Sequence, residues 1–344
     1  MEDIAGPDVA VDPATLWREE IRNGFSRAFI LFALHASGVL DALQRAGAAG
    51  RTAKELAAEH QLAEFLLENV LTYLALADVV LVKEGERFRL TEHADFLFAP
   101  KTMHMLYNNV GSYACILYEL LPALRGQKKY GQDFVRRGDY LAIGTRNITV
   151  ESHPGIVAAV ERTGAKTVAD LGCGSAHMLV KLCGANRERR GVGIDLSEGA
   201  LAEARRTVDT AGLGERIALV RGDVGAPDSW AKDAQDVELF VCVAVLHEML
   251  SDGEDAVLRV LTRMKHLFPG RYFVMAEFDR REDEEFAAIP VEFRYRFLFY
   301  QYLMHPLSNQ GLLPRRKWLD LFERAGIEVL SVEAFNLDVY VTRF

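Results

Sequence analysis

VADLGCGSAHM, Val168 to Met178, is the stretch that decides the fold. A short apolar run ends at Asp170-Leu171, a tight turn follows at Gly172 and Gly174, and AHMLVKLCGA then reads as a helix. Strand, glycine turn and helix in that order open a nucleotide-binding α/β unit. Glycines there let a ligand approach the backbone with no Cβ in the way. A GxG after a strand is a weak signal alone, because dinucleotide-binding folds share it. Those folds want GxGxxG, and in GCGSAH the third glycine is replaced by His177.

Outward from this turn, strand-like and helix-like segments alternate from Pro154 on. TVADL, GVGID, RIALVRGD, VELFVCVAVL and RYFVMAEF read as strands, with EGALAEARRTVDTAG and EDAVLRVLTRMKHLF as helices among them. The pattern predicts an α/β doubly wound sheet, parallel through most of its strands. After an insertion, the helix KWLDLFERAG leads to IEVLSVEAF and LDVYVTRF, which sit too close for a crossover helix and should pair antiparallel. Three strand ends carry acids. Asp170 precedes the glycines, where it can receive a cation. Asp195, followed by Leu196, can hold a ribose diol. Asp223, followed by Val224, can accept from an adenine amino group.

The first half of the chain has a different texture. Thr52 with Glu55 forms a capping box. A helix to about His60, a second from Leu62 to Ala77, and a hairpin around Glu84-Gly85 suggest a winged helix. Through Pro100 there are nine Lys and Arg against sixteen Asp and Glu, and AEFLLENVLTYLALA carries no cation. That excludes phosphate-backbone recognition, and the formal net charge of −9 agrees with no nucleic-acid partner. The expected architecture is a helical, winged-helix-like dimerisation domain over 1–105, connecting helices that contribute to a substrate pocket over 106–153, and a ligand-binding catalytic domain over 154–344. The apolar N-terminal helices call for a homodimer. Cys115, Cys173, Cys183 and Cys242 show no CxxC spacing, which reads as reduced thiols and a cytoplasmic setting. The acidic N-terminus carries no apolar signal segment, and no apolar run approaches the ~20 residues of a membrane span.

The three acids and the glycine turn, in register, resemble the class I S-adenosylmethionine-dependent methyltransferases over roughly Pro154 to Phe344. The resemblance implies S-adenosylmethionine as cofactor. It places Asp170, Gly172 and Gly174 beside the methionine part, Asp195 and Leu196 at the ribose, and Asp223 with Val224 at the adenine. A helical dimerisation module ahead of the catalytic domain is likewise similar to the two-domain small-molecule methyltransferases.

The fourth strand of the catalytic half runs into His247 and Glu248, in FVCVAVLHEML. Ligands of an open α/β sheet bind beyond the carboxyl ends of its strands, so these residues belong near the transferred methyl group. Plant-type small-molecule O-methyltransferases carry a similar LHD segment whose histidine is the general base; LHE has Glu for Asp. Bacterial 2-oxo acid C-methyltransferases, which serve the synthesis of β-methylated amino acids, resemble the chain over both halves. That resemblance implies a metal ion, iron or zinc, on His247, Glu248 and the distant His305. A 2-His-1-carboxylate set leaves positions open for a bidentate ligand. It also implies that a substrate carboxylate meets Arg136, chosen among Arg136, Arg137 and Arg146. FRYRFLFYQYLM reads as pocket lining and core. The expectation is methylation of a 2-oxo acid at C3 through a metal-stabilised enolate, with His247 as ligand, base or both. The alternatives are metal-independent O-methylation with His247 as base, and a catalytically silent binding protein, which has no need of His247-Glu248.

Overall fold

The structure is a computed structural model describing residues 13–77, 80–148, 153–290, 294, 297–334 and 337–344. The N-terminal segment read as leaderless, and part of the aromatic insertion, lie outside the described residues. By packing, the chain divides into two compact units, Met1–Val110 and Gly111–Phe344.

The first unit holds α1 (Pro13–Ala36), α2 (Val39–Ala46), α3 (Ala53–His60) and α4 (Glu64–Ala77) with a small sheet. Gly38 separates α1 from α2 in the left-handed region, at φ 81°. The capping box forms: Thr52 Oγ1 accepts from the Glu55 N–H, and a Glu55 carboxylate oxygen accepts from the Thr52 N–H at 2.9 Å. Strands β1 (Arg51–Thr52), β2 (Leu81–Glu84) and β3 (Arg87–Leu90) lie antiparallel in the order β1-β3-β2, with β2 and β3 as the expected hairpin. Leu56, Leu71 and Phe88 are fully buried in this unit.

The second unit is a seven-stranded sheet. Its strands are β4 (Thr167–Leu171), β5 (Arg190–Asp195), β6 (Ile217–Arg221), β7 (Leu239–Val243), β8 (Tyr272–Glu277), β9 (Glu328–Ala334) and β10 (Asp338–Arg343). They lie in the order β6-β5-β4-β7-β8-β10-β9. The five strands β4 to β8 pair parallel, and β10 runs antiparallel to both β8 and β9. The last two strands therefore pair as expected, and β10 is inserted between β9 and the rest.

Period-two alternation builds a core on each face of this sheet. Ala169, Leu171, Phe240, Cys242, Phe273 and Met275 pack on one side, with helices Glu254–Leu267 and Arg315–Arg324. Val168, Leu239, Val241, Val274 and Ala276 pack on the other, with helices His153–Thr163, His177–Ala185 and Glu198–Thr210. Burial on both faces explains why these strands read as nearly unbroken apolar runs. Cys173, Cys183 and Cys242 are buried free thiols, and Cys115 is exposed. No single helix among the described residues is long and apolar enough to cross a membrane.

Candidate active site

The ligand edge is built where β4, β5 and β7 end. Gly172 and Gly174 both adopt left-handed backbone, at φ 70° and 52°. They do different jobs. A Cβ on Gly172 would stand 2.5 Å from Val245 Cγ2, so its bareness admits the loop after β7 rather than a ligand. A Cβ on Gly174 would meet nothing within 4 Å, and this is the position with room for a ligand.

Asp195 fastens the turn. Its carboxylate accepts from the Gly174 N–H at 2.9 Å and the Ser197 N–H at 2.8 Å. Burial raises its proton affinity and those two N–H groups oppose the rise. Leu196 beside it is exposed. Asp170 is buried at the end of β4, and burial with the neighbouring Asp195 charge pushes its pKa up to about 8. Asp223 accepts from the Gly225 N–H at 2.8 Å, its carbonyl accepts from Trp230 Nε1–H, and Val224 is buried. A line of carboxyl groups thus lies along one edge, with Asp170 mostly protonated at neutral pH.

Strand β7 stops at Val243, four residues before His247, rather than running into it. Ala244, at φ 54°, turns the chain into a 3₁₀ segment, Leu246–Asp252. A left-handed alanine is strained, and such strain is held only where surrounding bonds impose it. Glu277, fully buried at the end of β8, imposes it here. Its Oε1 accepts from the backbone N–H of Val245 at 3.0 Å and of His247 at 3.3 Å. Its Oε2 stands 2.8 Å from His247 Nδ1. Burial alone would lower the His247 pKa, but the charge and hydrogen bond of Glu277 more than reverse this and raise it.

His305 lies at the other side of the same space. The two imidazoles meet edge to face, ring centroids 5.1 Å apart, with Phe278 5.8 Å from each. His305 Nδ1 lies 2.9 Å from the Tyr300 carbonyl oxygen, an acceptor only, so Nδ1 carries the proton and Nε2 a lone pair. Burial, together with the neighbouring His247, lowers the His305 pKa to about 3, and the ring stays neutral. Among the described residues neither Nε2 has a hydrogen-bond partner.

The charge of Arg136 reaches both rings and disfavours their protonation. Its Nη1 donates to the buried Tyr113 hydroxyl at 2.8 Å, and its Nη2 to Glu248 Oε1 at 2.5 Å. Burial opposes its charge, but Tyr113, Glu248 and Tyr130 together hold the guanidinium protonated. Arg137 is instead tied to Asp139 and lies over the Tyr140 ring. The Arg146 side chain lies outside the described residues.

The expected metal set is therefore divided. His247 and His305 come together, each with Nδ1 fixed by an oxygen acceptor, which is how ligating imidazoles are oriented. Glu248 does not join them: it is half-exposed and paired with Arg136. Among the described residues no three His, Cys, Asp or Glu side chains are gathered for a metal ion. The donors fit a cation in two positions and not in the third. In a 3₁₀ segment, consecutive side chains point about 120° apart, so adjacency in sequence separates His247 from Glu248. The carboxylate that does reach His247, Glu277, was not singled out from the sequence. Its signal was present: RYFVMAEF ends in an acid at the ligand edge, as GVGID does.

Comparison with known proteins adds a family to this geometry. Residues 168–266 match the profile of a methyltransferase domain. Methyltransferase ungE' of Aspergillus campestris is 28% identical over 104 residues, 30% of each chain. Indolepyruvate C-methyltransferase of Streptomyces griseus is 32% identical over 120 residues, 34% of this chain and 35% of that protein. The chain thus matches about a third of the length of these curated relatives. Human N-acetylserotonin methyltransferase, solved with S-adenosylmethionine, superposes with a TM-score of 0.68 at 17% identity, covering 98% of this chain and 99% of that one. With the sheet order, the glycine turn and the matching profile together, the chain carries a class I S-adenosylmethionine-dependent methyltransferase domain.

Proposed function

We propose that this chain moves a methyl group from S-adenosylmethionine to C3 of a 2-oxo acid. The observation that carries the reading is Arg136. A largely enclosed guanidinium whose charge reaches both imidazoles is a seat for a carboxylate, which a 2-oxo acid has and a simple phenol lacks. The partial likeness to an indolepyruvate C-methyltransferase supports the same class.

The chain's residues then divide the work. Arg136 holds the substrate carboxylate and fixes where C3 lies. His247, with Nδ1–H committed to Glu277, has one free nitrogen, Nε2. That nitrogen takes the C3 proton, and the raised pKa makes it a competent base. The electron pair left on C3 attacks the sulfonium methyl in line and becomes the new carbon–carbon bond, while the pair of the breaking carbon–sulfur bond stays on the sulfur of S-adenosylhomocysteine. Asp170, Gly174 and Asp195 would hold the donor, and Phe278 and Tyr300 keep the imidazoles dry. A metal ion on His247 and His305, when bound, would supply charge stabilisation to an enolate. Because Nε2 is the one free nitrogen of His247, that ring serves as ligand or as base, not both at once.

The His247–Glu277 pair would serve a hydroxyl acceptor equally well, which keeps O-methylation as the second reading. Exchange of the C3 hydrogens into deuterated water separates the two. The chain, with S-adenosylhomocysteine in place of the donor, should catalyse exchange at C3 of at least one member of a 2-oxo acid panel. Methylation assays on that panel and on phenols run alongside. Phenol methylation without C3 exchange or 2-oxo acid methylation would overturn the C-methyl reading.

A further inference from the structure

Glu248 is placed oddly for a ligand and well for a competitor. Its Oε1 takes the buried guanidinium's Nη2 at 2.5 Å, while the carboxylate itself is half-exposed. The contact is monodentate, since the second amino group of Arg136 is given to Tyr113. Arg136 keeps 12% of its side-chain surface exposed, so the side chain is largely but not wholly enclosed. A buried cation with no anion is costly, so some carboxylate must sit there before a substrate arrives. Glu248 rides on a short 3₁₀ segment next to His247, on which a side-chain rotation moves it off Arg136 without disturbing the His247–Glu277 bond.

We propose that Glu248 is the resident occupant of the substrate's carboxylate seat on Arg136, and that a 2-oxo acid binds by exchanging one carboxylate for another. This rests on the 2-oxo acid reading above. It makes Glu248 a specificity-determining residue. A neutral ligand cannot displace an anion from a buried guanidinium without leaving that charge unpaired, so ligands lacking a carboxylate are rejected at this step. It also accounts for why Glu248 is not found with the imidazoles.

Calorimetry on the full-length chain, with S-adenosylhomocysteine bound so that no transfer occurs, tests this with 3-phenylpyruvate and its methyl ester as probes. Glu248→Gln keeps the shape and removes the competing charge. We expect it to bind the acid about tenfold more tightly than the parent, a difference of about 1.4 kcal/mol, with no gain for the ester. Arg136→Met should lose the acid. Arg136→Lys, which keeps the charge and the fold, should weaken it. Unchanged or weaker acid binding by Glu248→Gln, while the Arg136 variants lose affinity, overturns the exchange and leaves the 2-oxo acid reading standing. Equal acid affinity in the parent and both Arg136 variants overturns the carboxylate seat itself.

Discussion

Glu277 holds His247 three ways: by the ring nitrogen at 2.8 Å and by the backbone N–H groups of Val245 and His247. One buried carboxylate thus fixes the tautomer, the orientation and the loop of the proposed base.

Glu277→Gln should leave the fold near intact and disturb the proton chemistry. An amide cannot stabilise an imidazolium, so the His247 pKa should fall. The base works only when unprotonated, so the acid limb of the rate profile, placed above the ordinary histidine value in the parent, should move to lower pH. The maximal rate should drop by roughly 10³–10⁴-fold, as when the orienting acid of a histidine base is made neutral. An unmoved limb with a merely scaled rate would reduce Glu277 to a structural residue.

Asp170 titrates near pH 8 in the free protein because it is buried beside Asp195. A carboxylate with a raised folded pKa holds a proton that the unfolded chain has released. Its contribution to stability therefore falls as pH rises from about 4 to about 8. Asp170→Asn should raise the melting temperature of the ligand-free protein above pH 8. A cationic donor should expel that proton, so calorimetry near pH 7 in buffers of different ionisation enthalpy should show proton release on binding. The asparagine variant should show none.

Gly172→Ala combines two penalties: a left-handed alanine and a methyl group 2.5 Å from Val245 Cγ2. The cost should be roughly 2–4 kcal/mol in denaturant unfolding. Gly174→Ala carries the first penalty alone, so it should unfold closer to the parent yet bind the donor more weakly. Equal stability losses at the two glycines would contradict the division of roles given to them.

His305→Ala, with and without a chelator, decides the metal. If a metal ion supports turnover, the parent should hold it in stoichiometric amount and lose rate on chelation, and the variant should lose both. Elemental analysis showing none in the parent, with full rates in all three preparations, would leave His247 as the base alone.

The first unit leaves Trp17, Ile21 and Phe25 exposed along one face of α1, and Phe65, Leu66 and Leu76 exposed on α4. Faces of this kind ask for a partner surface, and we expect a second copy of the chain to cover them. Light scattering should return twice the 38.4 kDa chain mass. Charged substitutions at Trp17 and Phe25 should halve it.

Much of the sheet was legible because both of its faces are buried: an apolar run bounded by turn residues reads as a strand whatever its neighbours are. The acids at Asp170, Asp195 and Asp223 were legible for the same reason, as charges ending apolar runs. What the sequence hid was non-local. Glu277 reaches His247 because β8 lies beside β7, and strand order is not written in any one strand. Glu248 looked like the histidine's companion because it follows it directly, and a 3₁₀ turn sends the two apart. Nor did the glycine turn announce that Gly172 makes room for Val245, 73 positions onward in the chain.

The insertion of β10 has a consequence for synthesis. Asp338 lies opposite Glu277 and Arg343 opposite Tyr272, so β8 gains its second neighbour only from residues 338–343. During translation, which adds about 5–20 residues each second, β4 to β8 are complete long before that strand exists. Until it emerges, β8 is an open edge carrying Phe273, Val274 and Met275, the kind of edge that recruits other chains. A stop codon shortly before Asp338 should therefore yield aggregated protein rather than a soluble truncated one, and the nascent chain is a natural client for chaperones while residues 278–343 are being added.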